Sequence, residues 1–107
     1  GKQILRFEAL NLTNQENLPS IEALDKDIKQ AISKMVVFDE STIRLKSTYG
    51  YLAIVDLDSK LLNLRTLLNK AIRLRHEERY VEVIDELTKF VTLGLEVSEQ
   101  IETLFVK

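Results

Sequence analysis

The chain has one histidine, His76, in the run Arg75-His76-Glu77-Glu78-Arg79. A lone imidazole can move a proton near neutral pH, join carboxylates around a metal, or accept a phosphoryl group. One histidine cannot build an all-histidine zinc site. Glu77 and Glu78 are adjacent to it rather than one helical turn away, which does not suit a mixed site. The carboxylate pairs Asp56/Asp58 and Glu77/Glu78 are the candidate acids and bases. Acid–base catalysis needs pKa values pushed apart by burial or neighbours, and no base, nucleophile or glycine-rich loop converges on either pair. No phosphate-cradling loop or dinucleotide fingerprint is present. With no cysteine, the chain has no thiol nucleophile, disulfide scaffold or cysteine zinc site. Catalytic, metal and cofactor residues are therefore expected to be absent, and the chain is expected not to be an enzyme.

His76 with Arg79 is similar to the site of histidine phosphotransfer domains, which are helical bundles of about this size with an exposed histidine and a nearby basic residue. That resemblance implies phosphotransfer at His76. The sequence departs from the pattern in two ways: His76 falls at a turn, and Tyr80 rather than glycine follows Arg79.

A second constellation is basic. Lys60, Arg65, Lys70, Arg73 and Arg75 occupy Ser59 to His76 with no acid among them. On one face they would form a stripe for phosphate or an acidic partner. At their spacing they spread around the helix, and no aromatics interleave as a base-stacking platform needs. The last segment is the converse, with Glu82, Asp85, Glu86, Glu96, Glu99 and Glu102 against Lys89 and Lys107. The expected arrangement is two antiparallel helices whose flanking charges satisfy one another, which argues against nucleic-acid binding. Tyr49-Gly50-Tyr51 is a third feature: an amphipathic contact patch, or the packing of a bend. The candidate partner-binding residues are Tyr49, Tyr51, Arg65, Arg73 and Arg75.

These residues belong to a chain of 107, long enough for one domain with one core. It is 45% hydrophobic and 30% charged, with one proline and three glycines, which is the composition of a folded chain. The net charge of −2 provides no field to draw it onto nucleic acid or anionic lipid. No apolar run approaches the roughly eighteen residues of a membrane span. Gly1-Lys2-Gln3 is not a signal peptide, and the missing initiating methionine is what a trimmed fragment would show. Without cysteine, the expected location is the cytoplasm.

Hydrophobic spacing predicts the elements. Gln3 to Leu12 fits helix and strand equally, and Asn11 to Asn17 reads as a loop. Leu18-Pro19-Ser20 signals a helix start, and Ile21, Leu24, Ile28, Ala31, Ile32 and Met35 predict a helix from Ser20 to Val37. Asp39 is a candidate N-cap, with Phe38 and Ile43 as a hydrophobic staple. Ile43, Ser47, Gly50, Ile54 and Leu57 continue in phase into Leu61, Leu64, Leu68 and Ala71, predicting one helix from Asp39 to His76. The alternative is a β-hairpin within 41–57 turning near Tyr49-Gly50. Tyr80, Ile84, Leu87, Val91, Gly94, Ser98, Ile101 and Phe105 predict a last helix from Arg79 to Val106. Leu67 to Glu96 resembles the turn of a tetratricopeptide or MIT-type hairpin in Lys70-Ala71-Ile72, Tyr80 and Val83-Ile84. It lacks the small residue usual at Val83, and nothing recurs at a period of about 34 residues, so neither family is assigned.

The expected fold is an all-α antiparallel bundle of three long helices with a short N-terminal segment, in a single domain spanning 1–107. The alternative is α+β, with a small sheet from 3–10 and 41–57. The expected function is a non-enzymatic protein-interaction, assembly or scaffold domain acting through apolar, coiled-coil-like helix faces, on a protein partner or another copy of itself. Helices this long carry more apolar face than one hairpin covers.

Overall fold

A computed structural model describes residues 21–106 of the chain. Three helices follow one another: α1 (Ile21–Tyr49), α2 (Val55–His76) and α3 (Tyr80–Val106), with one 3-10 turn (Tyr51–Ala53) between α1 and α2. Helix accounts for 94% of them, and no strand occurs among the described residues. The fold is the all-α bundle. The 41–57 hairpin does not form, and the 3–10 segment of the alternative sheet lies outside the described residues, as does the Leu18-Pro19-Ser20 start signal. Connections this short make consecutive helices antiparallel neighbours, so α1 and α3 run parallel. The bundle's long dimension of 44 Å matches the 29 residues of α1 at the standard helical rise.

The break between the first two helices falls at Gly50, not at Asp39. Phe38 is buried inside α1, and the seam Leu24, Ile28, Ala31, Met35, Phe38, Thr42, Leu45 continues the alternating four-three step without interruption. Thr42 is buried on that seam because its hydroxyl donates to the Phe38 carbonyl at 2.8 Å, so no polar atom is stranded. Asp39 caps nothing; it pairs with Arg65 on α2. Ile43, expected on the seam, is 68% exposed.

At Gly50 the backbone turns to φ 89 and ψ 171, a region open to glycine and closed to residues with a Cβ. The Gly50 amide donates to the Lys46 carbonyl at 2.8 Å, completing the last turn of α1 before the chain leaves it. The β-prone run Tyr51 to Val55 becomes the 3-10 turn and the first residue of α2. Asp56 and Asp58 fall in the first turn of α2, and Arg73, Arg75 and His76 in its last, each set matched to the helix dipole.

The second connection is a Schellman motif. The Arg79 amide donates to the Leu74 carbonyl at 3.0 Å and the Glu78 amide to the Arg75 carbonyl at 3.1 Å. Glu78 occupies the left-handed position usually held by glycine, at φ 61. From α2, Leu57, Leu61, Leu64, Leu68, Ala71 and Leu74 enter the core as the spacing predicts. From α3 the fully buried row is Val83, Leu87, Phe90, Val97 and Ile101, one residue away at alternate positions from the predicted row. Ile84 and Val91 lie at its edge, partly buried.

Candidate functional site

Every lysine and arginine of the Lys60 to Arg79 run is engaged by a carboxylate. Lys60 contacts Glu96 at 2.9 Å and Asp56 at 3.3 Å, and also donates to Gln100 Oε1 at 2.9 Å. Lys70 contacts Glu86 at 3.1 Å. Advancing ten residues along α2 thus retreats ten along α3, as antiparallel pairing requires. Arg65 and Arg75 turn the other way, to Asp39 and Asp25 of α1. Arg73 pairs with Glu77, and Arg79 with Glu77 and Glu82. The predicted α2–α3 charge complementarity is present at Lys60 and Lys70, and the acids of α1 supply a second set. The hydrogen bond it donates to Glu96 is the largest cause holding the Lys60 ammonium above its usual pKa, and the bond to Glu82 does the same for Arg79. At Asp27, partial burial raises the carboxyl above its ordinary range.

Among the described residues Glu86 is the one buried charged side chain, 4% exposed on α3. Lys70 and Lys89, at 3.1 and 3.6 Å, neutralise it from two helices. Its charge is taken up by these contacts, which reads as a structural clamp on the α2–α3 interface rather than as a general acid.

The five candidate partner-binding residues do not converge. Tyr49 and Tyr51 flank Gly50 at one end of the bundle, both half-exposed, with the Lys46 ammonium 5.6 Å from the Tyr51 ring centre. Arg65 lies midway along α2. Arg73 and Arg75 lie at the opposite end, about 15 Å further along the helix. His76 is the last residue of α2 and is exposed. It borders a depression of about 330 Å³ between α1 and α2, lined by Asp25, Ile28, Lys29, Ile72 and Arg75. The guanidinium groups nearest it in sequence, Arg73, Arg75 and Arg79, are already held by carboxylates. Among the described residues, no group of three or more His, Asp or Glu side chains is placed to hold a metal ion, and no helix is long and apolar enough to cross a membrane.

The feature missed at the level of sequence is on α1. Ile32, Val36 and Ile43 are separated by four and seven residues, so they stack on one helical face. They are 43%, 52% and 68% exposed. Ile21, half-exposed, extends the row toward the helix N-terminus. Ile43, at the row's C-terminal end, lines a second depression of about 360 Å³ between α1 and α2, together with Asp39, Thr42, Tyr51, Ile54 and Leu61. A second apolar row beside the core row is the available signal; the spacing alone puts Ile21 and Ile32 in one set with Leu24, Ile28, Ala31 and Met35.

Fold and surface together define a three-helix up-down-up bundle with an exposed apolar stripe on α1. Compared with protein-family models, curated proteins and solved structures, the chain matches none of them.

Proposed function

We propose that this bundle is a non-enzymatic protein-interaction or assembly domain, and that its contact surface is the outer face of α1. The observation that carries this reading is the stripe Ile32, Val36 and Ile43, left exposed beside a fully packed core. An exposed apolar row rimmed by charge is the kind of surface that a partner covers. The internal engagement of the Lys60 to Arg79 cations supports the same reading, because it removes the free positive stripe that nucleic acid would need. Tyr51, on the rim of the depression next to Ile43, adds an aromatic contact of the kind enriched at interfaces.

The test is a photo-crosslinking residue placed at Val36 and, as control, at the exposed Thr103 of α3, in cells expressing the chain. Adducts from position 36 and none from position 103 are expected. No adduct from position 36, or equal yields from both, would overturn the reading.

A further inference from the structure

We infer that the α1 stripe pairs with the α1 stripe of a second copy of this chain, antiparallel, about a two-fold axis passing between Ile32 and Val36. This rests on the reading of that face as an interaction surface and names its occupant.

The inference comes from the charges bordering the stripe. Around the stripe α1 presents Glu22, Lys29, Glu40 and Arg44, all exposed, with Lys26 between the first two and Lys29 also on the rim of the α1–α2 depression. None of the four forms an ion pair among the described residues, whereas every cation from Lys60 to Arg79 does. Read along the helix, the face runs acid, base, base, apolar, apolar, acid, base: Glu22, Lys26, Lys29, Ile32, Val36, Glu40, Arg44. Reversed, it runs base, acid, apolar, apolar, base, base, acid. An antiparallel copy therefore sets the charges that flank the apolar pair, Lys29 and Glu40, against their opposites. Lys29 faces Glu40 of the second copy, Glu22 faces Arg44, and Ile32 faces Val36, each pair occurring twice. In a two-fold interface one patch must complement itself, and in antiparallel helices residues on the same flank meet. A parallel copy would set like charges against like.

Shape agrees with charge. In the register that sets Ile32 on Val36, Ile43 of one copy falls opposite Asp25 of the other. Asp25 borders the depression between Ile28 and Ile72, and its carboxylate is already neutralised by Arg75. Ile43, the most exposed apolar side chain of α1, is thus the knob and that depression the hole. Both of its occurrences in the dimer would be filled.

Sedimentation equilibrium of the purified chain over rising concentration tests this. The mass should move from 12.4 kDa toward twice that value. Lys29→Glu and Glu40→Lys should each weaken self-association roughly tenfold, because each places two like-charged contacts across the axis. An equimolar mixture of the two variants should restore it, since both contacts are then opposite in sign. Val36→Glu should give a monomer with unchanged far-UV circular dichroism. A wild-type chain that stays monomeric would overturn the second-copy inference while leaving crosslinking at Val36 to decide the wider reading. A dimer indifferent to Val36→Glu, or a mixture no tighter than its components, would overturn the geometry.

Discussion

Arg75 holds Asp25 across fifty residues of chain. Its Nε donates to Asp25 Oδ1 at 2.7 Å and its Nη2 to Oδ2 at 3.2 Å. The same guanidinium lies 5.7 Å from the ring centre of Tyr80. One side chain of α2 therefore ties the N-terminal part of α1 to the first residue of α3. A forked, charge-assisted pair fixes orientation as well as distance, so it sets how α1 lies on the hairpin.

This pair gives the acid limb of stability a definite sign. The hydrogen bond from Arg75 is the largest cause holding the Asp25 carboxyl below its ordinary value of 3.8, with Coulombic attraction in support. The unfolded chain therefore binds the proton first as pH falls. The pair's contribution is complete above the unfolded pKa and is lost as pH drops through the folded one. Melting temperature measured against pH should fall more steeply on the acid side for the wild type than for Asp25→Asn. Equal slopes would show that the pair contributes nothing measurable.

Two backbone positions make opposite predictions. Nothing lies within 4 Å of the Cβ that alanine would add at Gly50, so any cost there is conformational. Gly50→Ala should lose about 1–3 kcal/mol because φ 89 is closed to alanine. Glu78→Gly should gain about 1 kcal/mol by relieving the left-handed φ of 61. Urea midpoints of the two variants should move in opposite directions.

Burial separates two leucine-sized side chains that the sequence placed on one seam. Leu64 is fully buried and Ile43 is not. Leu64→Ala should destabilise the monomer by about 2–5 kcal/mol, through lost transfer energy and the cavity left behind. Ile43→Ala should change the stability of the monomer by no more than about 0.5 kcal/mol. The comparison is made by chemical denaturation at protein concentrations low enough to exclude association.

The buried Glu86 predicts an asymmetry between two lysines of α2. Lys70→Met keeps the aliphatic stem but leaves Glu86 with only Lys89, at 3.6 Å. It should cost about 1–3 kcal/mol, the range for an under-compensated buried polar group. Lys60 answers Glu96 and Asp56, both largely exposed, so Lys60→Met should cost less than about 1 kcal/mol. Equal losses would show that burial of Glu86 is not what makes the Lys70 contact matter.

The α2 seam was legible because Leu57, Leu61, Leu64, Leu68 and Ala71 keep the four-three step without a gap, whereas the neighbouring Leu62, Leu67 and Ile72 are five residues apart and make no second row. On α3 the pairs Val83-Ile84 and Phe90-Val91 offer two adjacent apolar rows, and periodicity alone could not choose between them. On α1 the core row passes through Thr42, a hydroxyl that reads as surface until its bond to the Phe38 carbonyl is seen. The competing row through Ile43 and Gly50 was apolar enough to mislead, and it carried the helix start to Asp39. The stripe on α1 was hidden by the same ambiguity, since Ile21 and Ile32 sit only one step around the helix from Leu24 and Ile28. The charge pattern was half legible: opposite signs on α2 and α3 pointed to mutual satisfaction, but nothing in linear order reveals that Arg65 and Arg75 reach back to α1.

The tight Glu77–Arg79 connection also bears on how the chain acquires its shape during synthesis. The buried row of α1 is complete once Leu45 is made, but its partners, Ile54 to Leu74 and then Val83 to Ile101, emerge later. At roughly 5–20 residues per second that row waits several seconds for cover. The α2–α3 hairpin brings together residues close in sequence, and such topologies close in microseconds to milliseconds. The nascent bundle is therefore limited by the ribosome rather than by its own conformational search, and its exposure to misassociation is concentrated in the interval before α2 appears.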